Sequence, residues 1–335
     1  MNKDDFDLDK FAQYEELFDP LKTDRQARRK RKPKVRHRPK KSNGQIIAEI
    51  ADASGIEGGF NITYQPARYE AEWLLSSLRS FFYEDWISDV QAIVKGGKEA
   101  NVYRCQAHPG MDTPFLAVKV YRPGKFRNLR NDKMYREGRE ILTKEGRPIQ
   151  ERDQRMKQAL IKGTNFGAQL KHTSWLMYEY TTLQRLHRIG AAVPRPIAVS
   201  DNAILMSYLG DARTAAPTLN EVNLTTREAK PLFEEVLQHI ELMLQHNLIH
   251  GDLSAFNILY WQGKITLIDF PQVVNSRTNS NAYFILRRDI VRTCEYFARQ
   301  GVQCSADAIL NRLWSQYAAE APQDQLADES RLAMA

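Results

Sequence analysis

The sequence predicts an α+β fold of two lobes, a β-rich first lobe and a helical second one. Three observations carry this. Strand-like runs crowd the stretch before Gly210, helical periodicity dominates after it, and a dense motif, HGDLSAFNILYWQGKITLIDFPQ, follows the first of the later helices. Apolar residues make up 42% of the 335, ample for a core. No apolar run approaches the roughly 18–20 residues of a membrane span. The start, MNKDDFDLDK, is acidic and polar, unlike a secretory signal. Cys105, Cys294 and Cys304 are scattered and lack metal-ligand spacing, so a reduced, cytoplasmic setting is expected.

Taken in order, residues 1–45 read as a disordered tail, acidic and then basic. Residues 25–41, from Arg25 to Lys41, hold eleven Lys and Arg and no acid; taking those eleven from the net +7 leaves −4 for the rest. Residues 46–85 form a helical N-terminal extension. Its first part is ambiguous, with glycines at 55, 58 and 59, and 67–83 is helical with Trp73, Leu74, Leu78, Phe81 and Phe82 on one face. The first lobe, 86–209, opens with strands at 89–94 and 100–106 around a Gly-rich turn. A strand at 115–121 follows, with Leu116, Val118 and Val120 on one side and Phe115, Ala117, Lys119 and Tyr121 on the other. Residues 122–170 are a polar insertion, either mobile or a solvated helix pair. A helix at 170–189 and a hairpin of 197–200 with 203–209, turning at Asp201-Asn202, complete the lobe. The second lobe, 210–319, has helices at 227–246, 281–300 and 306–317, and 320–335 is a frayed tail.

Chemistry concentrates around Asp252, Asn257 and Asp269. A hairpin turning at Gln262-Gly263 sets Asn257 opposite Ile268, with Asp269 beside it at the open end. An amide oxygen and a carboxylate at one rim suit a hard divalent cation that also takes phosphate and water. Asp252, on the loop entering the rim, can orient or deprotonate an attacking hydroxyl. Asp and Asn are also common turn residues, but the hairpin joins these three into one constellation. Lys119 faces a partly covered side of its strand, and Glu179 lies on the apolar face of its helix with Leu176, Leu183 and Leu186. The two either pair or snorkel separately to solvent. The turn Lys95-Gly96-Gly97-Lys98-Glu99-Ala100-Asn101 can bring backbone N–H groups close to phosphate, although a Gly-Gly hairpin needs no ligand.

These residues resemble a family. HGDLSAFN has the Asp-to-Asn spacing of the protein-kinase catalytic loop, and LAVKVY resembles the strand of the kinase lysine. GKEANVY (97–103) resembles the phosphate loop of RIO kinases, the atypical protein kinases linked to ribosome maturation. IDFPQ (268–272) resembles their metal-binding loop, and LRRDI (286–290) the helix after it. The resemblance implies a two-lobed protein-kinase-like fold without a long activation segment. It implies ATP with magnesium, or manganese in its place, as cofactors. Lys119 would hold the α/β-phosphates and pair with Glu179. Asp252 would accept the proton, and Asn257 and Asp269 would bind the metal. The loop residues Gly96, Gly97, Lys98, Glu99, Ala100 and Asn101 would cover the phosphates. Ser207 and Leu209 would offer backbone groups to adenine, and Asp269 would also be the site of an aspartyl-phosphate. Three features depart from the family: Lys95-Gly96 stands where Ser-Thr is frequent, the phosphate and metal loops resemble different RIO subtypes, and the insertion at 122–170 is longer than the family leads one to expect.

A RIO-type Ser/Thr kinase is therefore expected, transferring phosphate to a hydroxyl or to itself. An ATPase switch acting on ribosomal particles is the alternative. A small-molecule kinase of the aminoglycoside or choline type shares HGD…N…D but not GKEANVY or DFPQ, and every phosphotransfer residue is present, unlike in a degenerate binding module. The basic tract 25–41 suggests contact with RNA or a ribosomal particle, without aromatic residues for base reading. The protein substrate and the oligomeric state are not visible.

Overall fold

The computed structural model describes residues 61–97, 99–122 and 133–317. The expected tails at 1–45 and 320–335, the basic tract, the first part of the N-terminal extension, Lys98 and 123–132 lie outside the described residues. The described residues fall within one compact unit that begins at Asn43.

The first lobe is a six-stranded sheet. Its strands are β1 (Asn61–Ile62), β2 (Ile87–Gly96), β3 (Ala100–Ala107), β4 (Phe115–Tyr121), β5 (Pro196–Val199) and β6 (Ala203–Ser207), in the order β1-β2-β3-β4-β6-β5. Only the β1–β2 pair is parallel. The alternation along β4 sorts its side chains as expected. Leu116, Val118 and Val120 join Leu74, Leu78 and Phe81 of helix α1 (Arg68–Tyr83) in a core on one face. On the other face Tyr121 and Ile204 join Leu176, Leu183 and Leu186 of α4 (Asn165–Arg188). The sheet is thus covered by a helix on each side, and Lys119 points towards α4.

The polar insertion differs from its expectation. Its described part is folded, with α2 (Lys133–Arg136), a bridge between Leu142 and Pro148, and α3 (Gln154–Lys162). Tyr135, Leu142 and Thr143 are buried. Gly163, in the left-handed region, ends α3, and Thr164 starts α4 by accepting from the Gly167 N–H at 3.2 Å, so α4 begins five residues before the periodicity suggests. The expected strand at 203–209 stops at Ser207 because Gly210, with φ +133°, turns the chain into a bridge with Ala215.

The second lobe holds α5 (Thr226–Gln245), β7 (Leu248–Ile249), a 3-10 turn at Ala255–Asn257, and the hairpin of β8 (Ile258–Trp261) with β9 (Lys264–Leu267). Then come β10 (Val274–Asn275), α6 (Ala282–Arg299) and α7 (Ala306–Tyr317). Trp261 pairs with Lys264 and Ile258 with Leu267, the register the sequence predicts. Gln262 and Gly263 both have positive φ, as a two-residue hairpin turn of this kind requires.

Candidate active site

Lys119 sits mid-strand on β4, opposite Val102 and Ile204. Its Nζ donates to Glu179 Oε1 at 2.5 Å and to Asp269 Oδ1 at 2.6 Å. The Lys119 and Glu179 side chains are 13% and 5% exposed, whereas Asp269 is 41% exposed. Burial alone would pull the ammonium down, but the carboxylates of Asp269 and Glu179 reverse this and hold it above its ordinary range. Burial would likewise push the Asp269 carboxyl up, and the Lys119 charge more than offsets it, leaving that carboxyl below its usual range. The Tyr121 hydroxyl donates to the other Glu179 oxygen, so both oxygens of this buried carboxylate are engaged. Lys119 and Glu179 pair, as one of the two sequence readings has it.

The loop after β7 carries Asp252. Its shape is set by α6. The buried Asp289 carboxylate accepts the Gly251 N–H at 2.7 Å and the Leu253 N–H at 3.1 Å, on either side of Asp252. Arg288 donates to the Gly251 carbonyl and to the Tyr135 hydroxyl. Arg292, one turn on, donates to Asp252 Oδ1 at 2.9 Å. Gly251 has φ +83°, and a Cβ there would stand 2.2 Å from the Gln272 carbonyl oxygen, so only glycine fits between this loop and the one after Asp269. His250 donates from Nε2 to the Ile268 carbonyl and accepts the Asp252 N–H at Nδ1, the bonding of a neutral ring. Burial keeps it neutral by lowering its pKa.

Asn257 ends the 3-10 turn and is buried. Its Nδ2 donates to the Asp252 carbonyl at 2.8 Å and to Asp252 Oδ2 at 3.2 Å. The sequence reading joins Asn257 to Asp269 and sets Asp252 apart; the direct side-chain bond is instead to Asp252. Asp269 still lies at the rim the hairpin makes, since the Ile268 N–H donates to the Asn257 carbonyl at 3.0 Å. Asp269 takes φ +73°, a left-handed conformation that aspartate tolerates. Among the described residues no hydrogen bond engages Asn257 Oδ1 or Asp269 Oδ2. This pair of hard oxygens fits magnesium, which takes few protein ligands and completes its shell with phosphate and water. No group of three or more His, Cys, Asp and Glu that could hold a metal by itself occurs among the described residues.

The Gly-rich turn closes the β2–β3 hairpin, with Gly96 paired to Asn101. A Cβ on Gly97 would meet the Ala100 carbonyl oxygen at 2.8 Å. The Asn101 side chain is buried: its Oδ1 accepts from Gly97 N–H and Arg122, and its Nδ2 donates to Tyr103, so it braces the turn from within. Ala100 packs against the core, and the Glu99 carbonyl accepts the Arg122 N–H. At the lobe junction the Ser207 N–H donates to Arg195 O, and the Leu209 carbonyl accepts from Ala216 N–H.

Sequence reasoning held His250 and Gly251 within HGDLSAFN and Asp289 within LRRDI but gave none of them a role in the site, and it passed over Arg292. A signal for one was present. Asp289 falls on the apolar stripe of Ile285, Leu286 and Ile290, where an acid needs a specific partner.

With this geometry in place, comparison with known proteins is specific. The RIO domain family profile matches residues 101–309. The RIO-type serine/threonine-protein kinase Rio1 of Haloferax volcanii is 31% identical over 218 residues, 64% of this chain and 66% of that one. The human serine/threonine-protein kinase RIO1 is 30% identical over 217 residues, 64% of this chain and 34% of that one. For the Schizosaccharomyces pombe and Chaetomium thermophilum relatives the match spans 40% and 41% of their lengths. The crystal structure of the Rio2 kinase–ADP/Mg2+–phosphoaspartate complex from Chaetomium thermophilum shares the fold, with a TM-score of 0.50 and 20% identity over 89% of this chain and 86% of that one.

Proposed function

The chain belongs to the RIO domain family, and on that premise we propose that it is an ATP- and magnesium-dependent serine/threonine kinase that phosphorylates a protein hydroxyl or its own chain. The observation that carries this is one ion-paired lysine, Lys119, tying Glu179 to Asp269 beside the bonded pair Asp252 and Asn257. The hydroxyl oxygen forms a bond to the γ-phosphorus, the bond to the β–γ bridging oxygen breaks, ADP leaves, and the hydroxyl proton passes to the Asp252 carboxylate. Arg292 holds one oxygen of that carboxylate, and Asn257 orients the other. Lys119 is placed to take the inner phosphates. Asn257 Oδ1 and Asp269 would hold magnesium, or manganese in its place, which would neutralise charge on the phosphates. The Ser207 carbonyl and the Leu209 N–H are the groups to face a purine edge. Purified Asp252→Ala and Lys119→Ala should stay folded and lose ATP turnover. If Asp252→Ala phosphorylates at the wild-type rate, the assignment is wrong.

A second reading, an ATPase switch on ribosomal particles, is favoured by Asp269. Its carboxylate is partly open, and the Chaetomium Rio2 structure holds a phosphoaspartate. Here a carboxylate oxygen attacks the γ-phosphorus, ADP leaves, and water later hydrolyses the acyl phosphate. Acid-stable phosphoserine supports the first reading, and a phosphate released by neutral hydroxylamine, as an acyl phosphate on Asp269 is, supports the second. Binding of RNA or a ribosomal particle through residues 25–41 rests on charge. It should weaken steeply with salt and disappear when residues 1–45 are deleted. A cytoplasmic setting is supported by the three cysteines, all free thiols. No helix of the described residues is long and apolar enough to cross a membrane.

A further inference from the structure

The phosphate-loop hairpin carries a cation that the reading above leaves unused. Lys95, next to last in β2, is exposed, yet its Nζ crosses the cleft to the Phe256 carbonyl at 3.4 Å. Phe256 lies in the 3-10 turn directly before Asn257 and four residues after Asp252. The ammonium therefore sits at the Asp252–Asn257 rim although it belongs to the other lobe. Its field also reaches Asp269, next to Asn257 at the open end of the hairpin. Burial and Lys119 dominate at Asp269, and Lys95 adds a smaller pull that lowers the same carboxyl. At Glu221, held below its ordinary range mainly by hydrogen bonds from Thr218, Lys95 again adds to the lowering.

Two lysines thus point into one cleft at different depths. Lys119 is deep and committed to two carboxylates. Lys95 is shallow, on one neutral acceptor at a distance near the limit of a hydrogen bond. Such a bond is readily exchanged. The carbonyl is a neutral acceptor, so an anionic phosphoryl oxygen adds to the ammonium's hydrogen bond an ion-pair attraction that the present contact lacks. If the inner phosphates lie at Lys119 and the acceptor hydroxyl at Asp252, the terminal phosphoryl group comes under Lys95.

We propose that Lys95 is a further catalytic residue of the phosphoryl transfer: a loop-borne cation that leaves the Phe256 carbonyl for the oxygens of the γ-phosphoryl group and neutralises the charge gathered there. This rests on the cleft being the ATP site. Lys95 forms no covalent bond and moves no proton, so the balance of the transfer is unchanged. The same contact closes the cleft only over a triphosphate, because ADP has no group for it to hold.

The test uses the full chain as wild type, Lys95→Ala and Lys95→Arg. Calorimetry measures affinity for ADP and for a non-hydrolysable ATP analogue with magnesium, and single-turnover phosphorylation measures the transfer. Lys95→Ala should bind the analogue about tenfold more weakly, with ADP affinity within about twofold of wild type. Its transfer rate should fall by about 10²–10³-fold, the cost of removing one donor to a developing anion. Lys95→Arg should recover part of both losses. The proposal is overturned if Lys95→Ala matches wild type within about twofold in analogue affinity and rate. It is equally overturned if ADP and analogue lose affinity together, which would make Lys95 a latch between the lobes. A wild type that binds both nucleotides but transfers nothing refutes the kinase reading, while the ratio of the two affinities still decides on Lys95. A wild type that binds neither refutes both.

Discussion

Replacing Lys119 by Met tests whether the core of the site is a buried ion pair or a solvated one. Met keeps an unbranched, apolar chain of nearly the same length and removes the charge. Glu179, 5% exposed, is then left with only the Tyr121 hydroxyl. Breaking a buried pair from one side costs about 3–5 kcal/mol. The remaining hydroxyl bond places this case at the lower end, about 3 kcal/mol. Asp269 is 41% exposed and can regain water, so its lost partner adds less than about 1 kcal/mol. For a domain of this size each kcal/mol shifts Tm by about 2–4 °C, so Lys119→Met should melt about 6–15 °C below wild type. The double variant Lys119→Met/Glu179→Gln removes both charges and should regain most of that loss while remaining without turnover. Thermal unfolding followed by circular dichroism measures both. A drop under about 2 °C for the single variant would mean that water reaches Glu179. A double variant no more stable than the single one would mean that the cost is packing and not an uncompensated charge.

Three further perturbations follow from the same geometry. Gly251→Ala forces a side chain into the left-handed region at about 1–2 kcal/mol and drives its Cβ against the Gln272 carbonyl, so turnover should fall at least about tenfold in a protein that still folds; wild-type turnover would mean the two loops are free to separate. Asp289 is pushed up by burial to about 7, only partly opposed by Arg288 and the two backbone N–H groups, so the folded state holds a proton that the unfolded state has lost between about pH 4 and pH 7. Stability from this group is therefore lost as pH rises through that window, by on the order of 4 kcal/mol at most, whereas His250 contributes the opposite slope below about pH 6.5. Urea unfolding of Asp289→Asn and wild type at pH 5 and pH 8 isolates the first slope, and equal slopes would refute it. Arg292→Ala removes a half-exposed partner of Asp252, so Tm should hold within a few degrees while phosphorylation slows severalfold; an unchanged rate would show that Asn257 alone positions the carboxylate.

What was legible in the sequence is what depends on short-range pattern. The alternation along β4 sorts Leu116, Val118 and Val120 from Lys119 and Tyr121 because a strand has only two sides. The hairpin register follows from a two-residue turn, and it places Asn257 against Ile268 without knowledge of the rest. The start of α4 was readable in Gly163-Thr164, a stop followed by a cap, but the polarity of the insertion obscured it. Illegible were contacts made between segments far apart in the chain and outside any repeat. Arg139 reaches the Val273 carbonyl at 2.7 Å, and Asn279 donates to the Met134 and Glu137 carbonyls, so a segment that reads as solvated is docked on the loop after Asp269. A backbone carbonyl as partner leaves no trace in the residue type.

The two carboxylates of the site are held differently, and this separates what can move from what cannot. Asp252 is fixed within the second lobe: α6 grips the N–H groups on both sides of it, the carbonyl before it and one of its own oxygens, through Asp289, Arg288 and Arg292. Asp269 is fixed from both lobes, since His250 holds the carbonyl preceding it while Lys119 holds its side chain from the sheet. The loop that follows is tied again at Val273, whose carbonyl accepts from Arg139 and from the Tyr178 hydroxyl. A shift of the first lobe therefore moves Asp269, one of the two proposed metal ligands, without disturbing the proposed base or Asn257 bonded to it. The two ammonium contacts that cross the cleft, Lys119 to Asp269 and Lys95 to the Phe256 carbonyl, are both of a kind that phosphate oxygens can replace. Filling the cleft with a triphosphate then exchanges direct contacts between the lobes for contacts through the nucleotide, and losing the γ-phosphoryl group reverses the shallower of the two.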